Sequence, residues 1–364
     1  MISNRPTLLM VSNASSDGIA GGLNAMSSLM EPSFEEYFQV KHIFVKDLNR
    51  FGKFRRIIQI LLKLCQGKYD LVYFNSIYYF EFILFALICS VYKVPYQIHS
   101  HGSLSKFVFY EKSLKKFLLR PLLTFLVHKS ESIIFSTTTE ASNSICPQKN
   151  FLTIKNYINT QVKNSSRLQN RNKNKIVFIS KIDWKYKGIH EMVEGFKRFV
   201  RNSPEFELCI YGYGNIKSRQ LEIDKKDPAI SRLLNDISNV KQISFYGPIY
   251  GAAKWTAISD CGAVCLFSKS EAMPLILTES ISVGTIILFS NSTNYQDIVS
   301  DPRMVCDGSA DGIEKVLNVY KNKLIPNYHN ISHYLKKIFE TELSDQSRKF
   351  ELARVAKNAI IAID

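Results

Sequence analysis

The sequence predicts an α/β protein of two doubly wound, Rossmann-like domains, and three observations carry that expectation. Short apolar runs alternate with helical patterns through about the first 140 residues. A polar stretch, "NSSRLQNRNKNK" (164–175), whose one aliphatic residue is Leu168, then interrupts the alternation. Beyond it the alternation restarts. Strand–helix alternation implies a parallel sheet with helices on both faces, and 364 residues exceed the usual size of one domain. The expected division is 1–163 for an N-terminal domain, 164–175 for a linker, 176–327 for a C-terminal domain and 328–364 for a terminal helical segment. Two such domains place a cleft between the carboxyl ends of both sheets, where ligands of α/β proteins bind.

In the first half, "TLLMVS", "KHIFVKD", "YDLVYFN", "PYQIHSHG" and "SIIFST" read as strands. Helices are expected around Arg55, over Phe80–Tyr92 and over 113–129. In the helix around Arg55, Phe51, Phe54, Ile58, Leu61 and Cys65 share one apolar face by helical spacing. In the second half the strands are "KIVFIS", "FELCIYGYG", "QISFYG", "GAVCLFS" and "TIILFS". The helix "IHEMVEGFKRFV" and a helix from Leu275 to Val283 lie among them.

Composition narrows the function classes. No apolar run reaches the roughly 18 residues that span a bilayer, and the beginning, "MISNRPTLLMVSN", lacks a signal-peptide pattern. Seven scattered cysteines without a CxxC pair read as core thiols of a reducing cytosol. His329 and His333 have i, i+4 spacing but no acidic or thiol partner nearby, so no metal site is expected there. The net charge of +15 is concentrated: residues 41–68 hold eight basic and one acidic side chain, and residues 106–129 hold six and one. Basic amphipathic helices are drawn to anionic membrane surfaces, although a solvated basic face reads the same way. No motif or basic–aromatic platform points to nucleic acid.

The stretch "SKSEAMPLILTESISVGTIILFS" (268–290) holds the most informative pattern. Glu271 falls in the loop after a buried strand, and Glu279 about one turn into the following helix. Backbone N–H groups around Pro274 and Leu275, at the helix start, suit an anion such as a diphosphate. Glu279 could accept hydrogen bonds from two ribose hydroxyls, as acidic residues do in dinucleotide folds; Glu271 would face hydroxyls of a transferred group. After the first strand, "SSDGIAGGLNAM" places Gly21 and Gly22 before a helix, where their N–H groups could meet phosphate.

This stretch resembles the E-x7-E signature of retaining glycosyltransferase family four, whose fold is GT-B. Ser268, Glu271, Pro274, Glu279 and Gly284 are kept, with Ala272 for the family's first glycine and Ser280 for its alanine. "VFISKIDWKYKGIHEMVEGF" is similar to the family's diphosphate segment. That similarity implies phosphate roles for Lys181, where arginine is more usual, and for Lys187 before Gly188. "LCIYGYGN" is similar to the glycine loop beneath the nucleotide, which implies roles for Gly212 and Gly214. "IKNYI" lacks the proline and glycine of its family counterpart and is given no role. "HSHGSLS", with the lysine-rich helix and Thr-Glu-Ala stretch after it, resembles a subgroup in which many members build bacterial surface polysaccharides. There His101 matches a histidine close to the transferred sugar, able to donate to a hydroxyl or stabilise developing charge. His99 is expected on the same strand face. The Gly21–Gly22 loop corresponds to one near the donor phosphates and acceptor.

The resemblance implies a retaining transferase acting on a UDP- or GDP-sugar donor. With no D-x-D motif placed at the site no metal is expected, and the basic helices point to a membrane-borne, lipid-linked saccharide acceptor. The transferase would be cytoplasmic, on the inner face of the cell membrane, with no cofactor. Two other readings stay open: an epimerase or hydrolase of nucleotide sugars, and a non-catalytic binder of anionic polymer.

Overall fold

The computed structural model describes residues 5–13, 30–32, 34–45, 50–111, 113–147, 150–158, 171–214, 226–343 and 345–361. The chain forms two compact units, residues 1–157 with 345–364, and residues 158–344. Gly21 and Gly22 lie outside the described residues.

In the first unit six parallel strands run β1 (Thr7–Ser12), β2 (Gln39–Phe44), β3 (Leu71–Asn75), β4 (Tyr96–His99), β5 (Ser132–Phe135) and β6 (Phe151–Thr153). Their order across the sheet is β2-β1-β3-β4-β5-β6. The strand order reverses between β1 and β3, the switch point at which open α/β sheets bind ligands. The last residues of three strands are in register there: Ser12 opposite Asn75, and Asn75 opposite His99. Each is polar and fully buried.

Helices Arg50–Cys65, Phe80–Tyr92 and Leu114–Lys129 pack side by side on this sheet. The first is turned from the expected face. Ile57, Ile60 and Leu64 are buried, while Ile58 is exposed and Leu61 and Cys65 are half-buried; the side chains of Phe51 and Phe54 lie outside the described residues. The final helix, Asp345–Ile361, belongs to this unit. Glu351 Oε2 accepts from the Tyr157 hydroxyl at 2.6 Å and from Lys155 N–H at 2.9 Å, and Leu352, Val355 and Ala356 are buried.

The second unit orders its six parallel strands β12-β11-β10-β7-β8-β9. These are β7 (Asn172–Ile179), β8 (Glu207–Tyr211), β9 (Ile243–Phe245), β10 (Cys261–Leu266), β11 (Ile286–Ser290) and β12 (Val305–Cys306). The switch point lies between β7 and β10. β7 begins inside the polar stretch expected as a linker, and Arg171 just before it is buried. Its guanidinium donates to the Val283 carbonyl and the Thr285 hydroxyl, tying the strand entry to the end of helix Leu275–Ser282. Gly284 follows with φ +73°, and Thr285 N–H returns to Ser280 O at 2.9 Å, the closure that a left-handed glycine permits.

Gly188 ends the loop after β7 with φ +59° and begins helix Ile189–Val200; a Cβ there would come within 2.1 Å of the Phe267 carbonyl oxygen at the end of β10. Two constraints coincide: a backbone region that side chains rarely adopt, and a contact that backbone cannot relieve cheaply. Gly188→Ala is expected to lower stability by about 2 kcal/mol or more, read by urea unfolding; a midpoint unchanged from the natural protein would show that the two loops do not require this approach.

Candidate active site

In the second unit the loops after β7 and β10 bring together the side chains that the sequence singled out. Lys187 Nζ donates to Glu271 Oε1 across 84 positions of sequence. The same carboxylate oxygen accepts from the Ser268 hydroxyl at 2.7 Å. The Glu271 backbone is fixed on both sides: its N–H donates to Ser292 O at 3.1 Å, and its carbonyl accepts from Asn294 Nδ2 at 2.7 Å. Ser268 is held in turn, since Ser290 Oγ donates to its carbonyl at 2.6 Å. Thus the residues around Glu271 place one carboxylate rigidly beside one ammonium, both partly buried.

Eight residues on, Glu279 is buried in helix Leu275–Ser282 and accepts from Lys254 Nζ at 2.6 Å. Burial pushes its carboxyl above the usual range, and Lys254 pulls against that shift. Lys254 comes from helix Gly251–Asp260 and was missed in the sequence, where a lone lysine in "GAAKW" carries no signal. Pro274 precedes the helix in extended conformation and contributes no side-chain cap, so Leu275 opens it without one. Ala272 has no positive φ and fits where the family pattern has glycine. Ser280 is satisfied by its own helix, donating to Ile276 O at 2.7 Å.

The remaining expected residues of this unit make other contacts. Lys181 is half-exposed and pairs with Asp183 at 3.5 Å. Asp183 also receives the N–H groups of Lys185 and Tyr186, shaping the loop that carries Lys187. Gly212 and Gly214 have reasons within the unit. A Cβ at Gly212 would meet Ser180 O at 2.0 Å, and one at Gly214 would overlap the Asp227 carboxylate that caps helix Pro228–Ile237.

In the first unit His101 follows β4 in left-handed conformation, φ 44°, unusual for a residue with a side chain. Gly102, φ 80°, donates its N–H to Glu140 Oε1 at 2.7 Å, while Ser136 N–H donates to Oε2 at 2.7 Å. The buried Glu140 of "TTEA" therefore clamps the His-Gly turn to the end of β5. Burial pushes its carboxyl up, against the pull of these amides. His101 lies over His99, ring centroids 3.6 Å apart, and reaches Asn75 Oδ1 from Nε2 at 3.1 Å.

Burial drives the His101 imidazole down to about 3. Near pH 7 this favours the neutral imidazole, which donates a hydrogen bond from one ring nitrogen and accepts at the other. His99 is fully buried beneath it, bonded to Tyr73 through Nδ1 at 2.7 Å, and is likewise pushed down by burial. Asn75 was missed in the sequence; its signal is a polar residue closing the otherwise apolar strand "LVYFN". Among the described residues no three His, Cys, Asp or Glu side chains gather to hold a metal ion.

Residues 160–337 match the family model described as glycosyl transferases group 1. Solved structures share the fold over nearly the whole chain. The HepE protein of Anabaena in complex with UDP is 13% identical, with a TM-score of 0.69 over 97% of this chain and 99% of that one. Sucrose-phosphate synthase of Thermosynechococcus elongatus is 13% identical, with a TM-score of 0.70 over 98% and 100%. A glycosyltransferase of Rickettsia africae is 12% identical, with a TM-score of 0.64 over 98% and 99%. No curated protein matches the chain at a significant level. Two doubly wound units with these topologies make the fold GT-B, and residues 160–337 are similar to the glycosyl transferases of group 1.

Proposed function

We propose that the protein is a retaining, metal-independent glycosyltransferase that moves a sugar from a nucleoside-diphosphate donor to a lipid-linked saccharide in the building of bacterial surface polysaccharide. The observation that carries the reading is the Lys187–Glu271 pair at the switch point of the second unit, beside a helix start without a side-chain cap. Lysine is suited to a departing diphosphate, and a carboxylate to the hydroxyls of the sugar being transferred. Without ligand the two charges satisfy one another. With ligand, the ammonium would turn to phosphate, while Ser268 keeps the carboxylate in place. Glu279 would take the ribose. The UDP held by the HepE protein supports UDP as the first nucleotide to test.

UDP at about 100 times its Kd is expected to add about 2.7 kcal/mol to stability, an upward shift of several degrees in Tm. Once a donor and acceptor are found, Lys187→Ala and Glu271→Ala should each lower kcat about 100-fold or more without loss of fold. The product should retain the donor's anomeric configuration by NMR. Full activity in both variants would remove the site assignment. Activity is also expected to survive EDTA; loss with EDTA and recovery with Mg²⁺ would reverse the metal-independent reading.

The membrane part of the proposal concerns the inner face of the cell membrane, with the protein peripherally bound to anionic lipid. No helix among the described residues is long and apolar enough to cross a membrane. Instead, large apolar side chains stand exposed along and just before helix Leu114–Lys129: Phe107, Tyr110, Leu114, Phe117, Leu118 and Phe125. Arg120 holds the segment together, donating to Phe109 O and Glu111 O with its guanidinium over the Tyr110 and Phe117 rings. Basic residues with outward apolar anchors suit an anionic interface. Vesicles containing phosphatidylglycerol should bind the protein more tightly than neutral ones. The double variant Phe117→Ser, Leu118→Ser should weaken that binding about 10-fold or more, given the transfer energy of two large apolar side chains. Equal binding to both vesicle types would dismiss the membrane part alone.

A further inference from the structure

Five polar side chains form one hydrogen-bonded chain across the strand ends of the first unit. Glu31 Oε2 meets His42 Nδ1 at 2.8 Å, and His42 Nε2 meets Ser12 Oγ at 2.8 Å. Asn75 Nδ2 donates to Ser12 Oγ at 2.7 Å, and Asn75 Oδ1 meets His101 Nε2 at 3.1 Å. The spacing of Glu31, His42 and Ser12 is that of an acid–base–nucleophile triad. Ser12, however, is fully buried and already accepts from the Asn75 amide. It passes on a hydrogen-bond direction and is not placed to attack a substrate.

That direction follows from donor and acceptor capacities. An ionised carboxylate only accepts, so His42 donates to Glu31 from Nδ1. Neutral imidazole then has a bare Nε2, which takes the Ser12 proton. The Ser12 oxygen is left to accept, and the Asn75 amide nitrogen fills it. Turned that way, Asn75 presents Oδ1 to His101, which must donate from Nε2. We infer that Glu31, His42, Ser12 and Asn75 are positioning residues that fix His101 as the Nε2–H tautomer, leaving its Nδ1 lone pair as the acceptor for a ligand hydroxyl.

Burial lowers His42 even against the pull of Glu31, which keeps the ring in the neutral form that this direction requires. The strained turn at His101 and the Glu140 clamp on Gly102 hold the imidazole from the other side. His99, stacked beneath, bonds to Tyr73 and joins the chain only through the ring face. The identity of the hydroxyl that meets Nδ1 rests on the transferase reading; the tautomer does not.

The test is a long-range ¹H–¹⁵N spectrum of ligand-free protein labelled at histidine, with His42 and His101 assigned through His42→Gln and His101→Gln. Opposite tautomers are expected, Nδ1–H at His42 and Nε2–H at His101. His42 protonated on Nε2, or His101 on Nδ1, would overturn the inference. Ser12→Ala cuts the chain in its middle. His42 should stay Nδ1–H under the hold of Glu31, while His101 gains a second, Nδ1–H set of signals as the Asn75 amide loses its Ser12 acceptor. A His101 spectrum unchanged by Ser12→Ala would show that the chain does not set the tautomer. The natural protein's spectrum decides alone if that variant fails to fold. Because the spectrum needs no donor, a failure here and a failure to bind UDP are separate results.

Discussion

The ion pair between Lys187 and Glu271 is the contact on which the second unit's site depends, and it exists because two loops are brought together at a switch point. Parallel strands joined by right-handed crossovers leave a gap in helix cover where the strand order reverses. β7 and β10 border that gap. The loop after β7 passes so close to the end of β10 that Gly188 has no room for a side chain. The loop after β10 is bound to the Asn291–Asn294 turn through Ser292 and Asn294. A charge pair held this way, partly shielded from water, is worth more than an exposed pair. It is also costly to leave half-empty. A ligand that takes one partner must therefore supply matching polar groups for the other, and a phosphate joined to a hydroxyl-bearing sugar offers both.

The first unit meets the same topological situation with uncharged chemistry. Its strand ends at the switch point carry Ser12, Asn75 and His99, in register and buried, with His101 on the turn just beyond. Buried polar groups persist when they are hydrogen-bonded, and a connected network specifies one arrangement more sharply than isolated pairs do. Glu140 performs the bracing that the second unit assigns to Ser268 and Asn294. It takes the amides of Gly102 and Ser136, and so joins the turn after β4 to the turn after β5.

Most of the fold was legible because apolar strands bounded by polar turns give a strong local signal. "TLLMVS", the helix Phe80–Tyr92 and the helix "IHEMVEGFKRFV" fall on the observed elements. The misses are non-local. β6 and β12 are two or three residues long and exist through pairing with β5 and β11. The polar run before β7 conceals Arg171, whose burial depends on a carbonyl more than a hundred positions away. The face of helix Arg50–Cys65 was misread because its apolar residues surround more of the helix than one stripe, and packing against Phe80–Tyr92 chooses among them. In the candidate site, motif spacing singled out Lys187, Glu271 and Glu279, of which the first two are paired. It did not reveal Lys254, or the chain from Glu31 to Asn75, because those partnerships cross strands and helices with no regular spacing.

The charge balance of the two sites bears on where the net charge of +15 acts. Lys187 and Lys254 are each matched by a glutamate, and burial pushes the His99 and His101 imidazoles down toward the neutral form. The strand-end sites therefore add little to the protein's positive field. Before and along Leu114–Lys129, exposed Lys106 and Lys129 and half-buried Arg120 stand in a segment with exposed phenylalanines and leucines. A field from such a surface falls off within about 10 Å at ordinary salt, so it acts on whatever lies directly against that helix. These basic and apolar side chains differ in chemistry from the paired charges at the strand ends of the second unit.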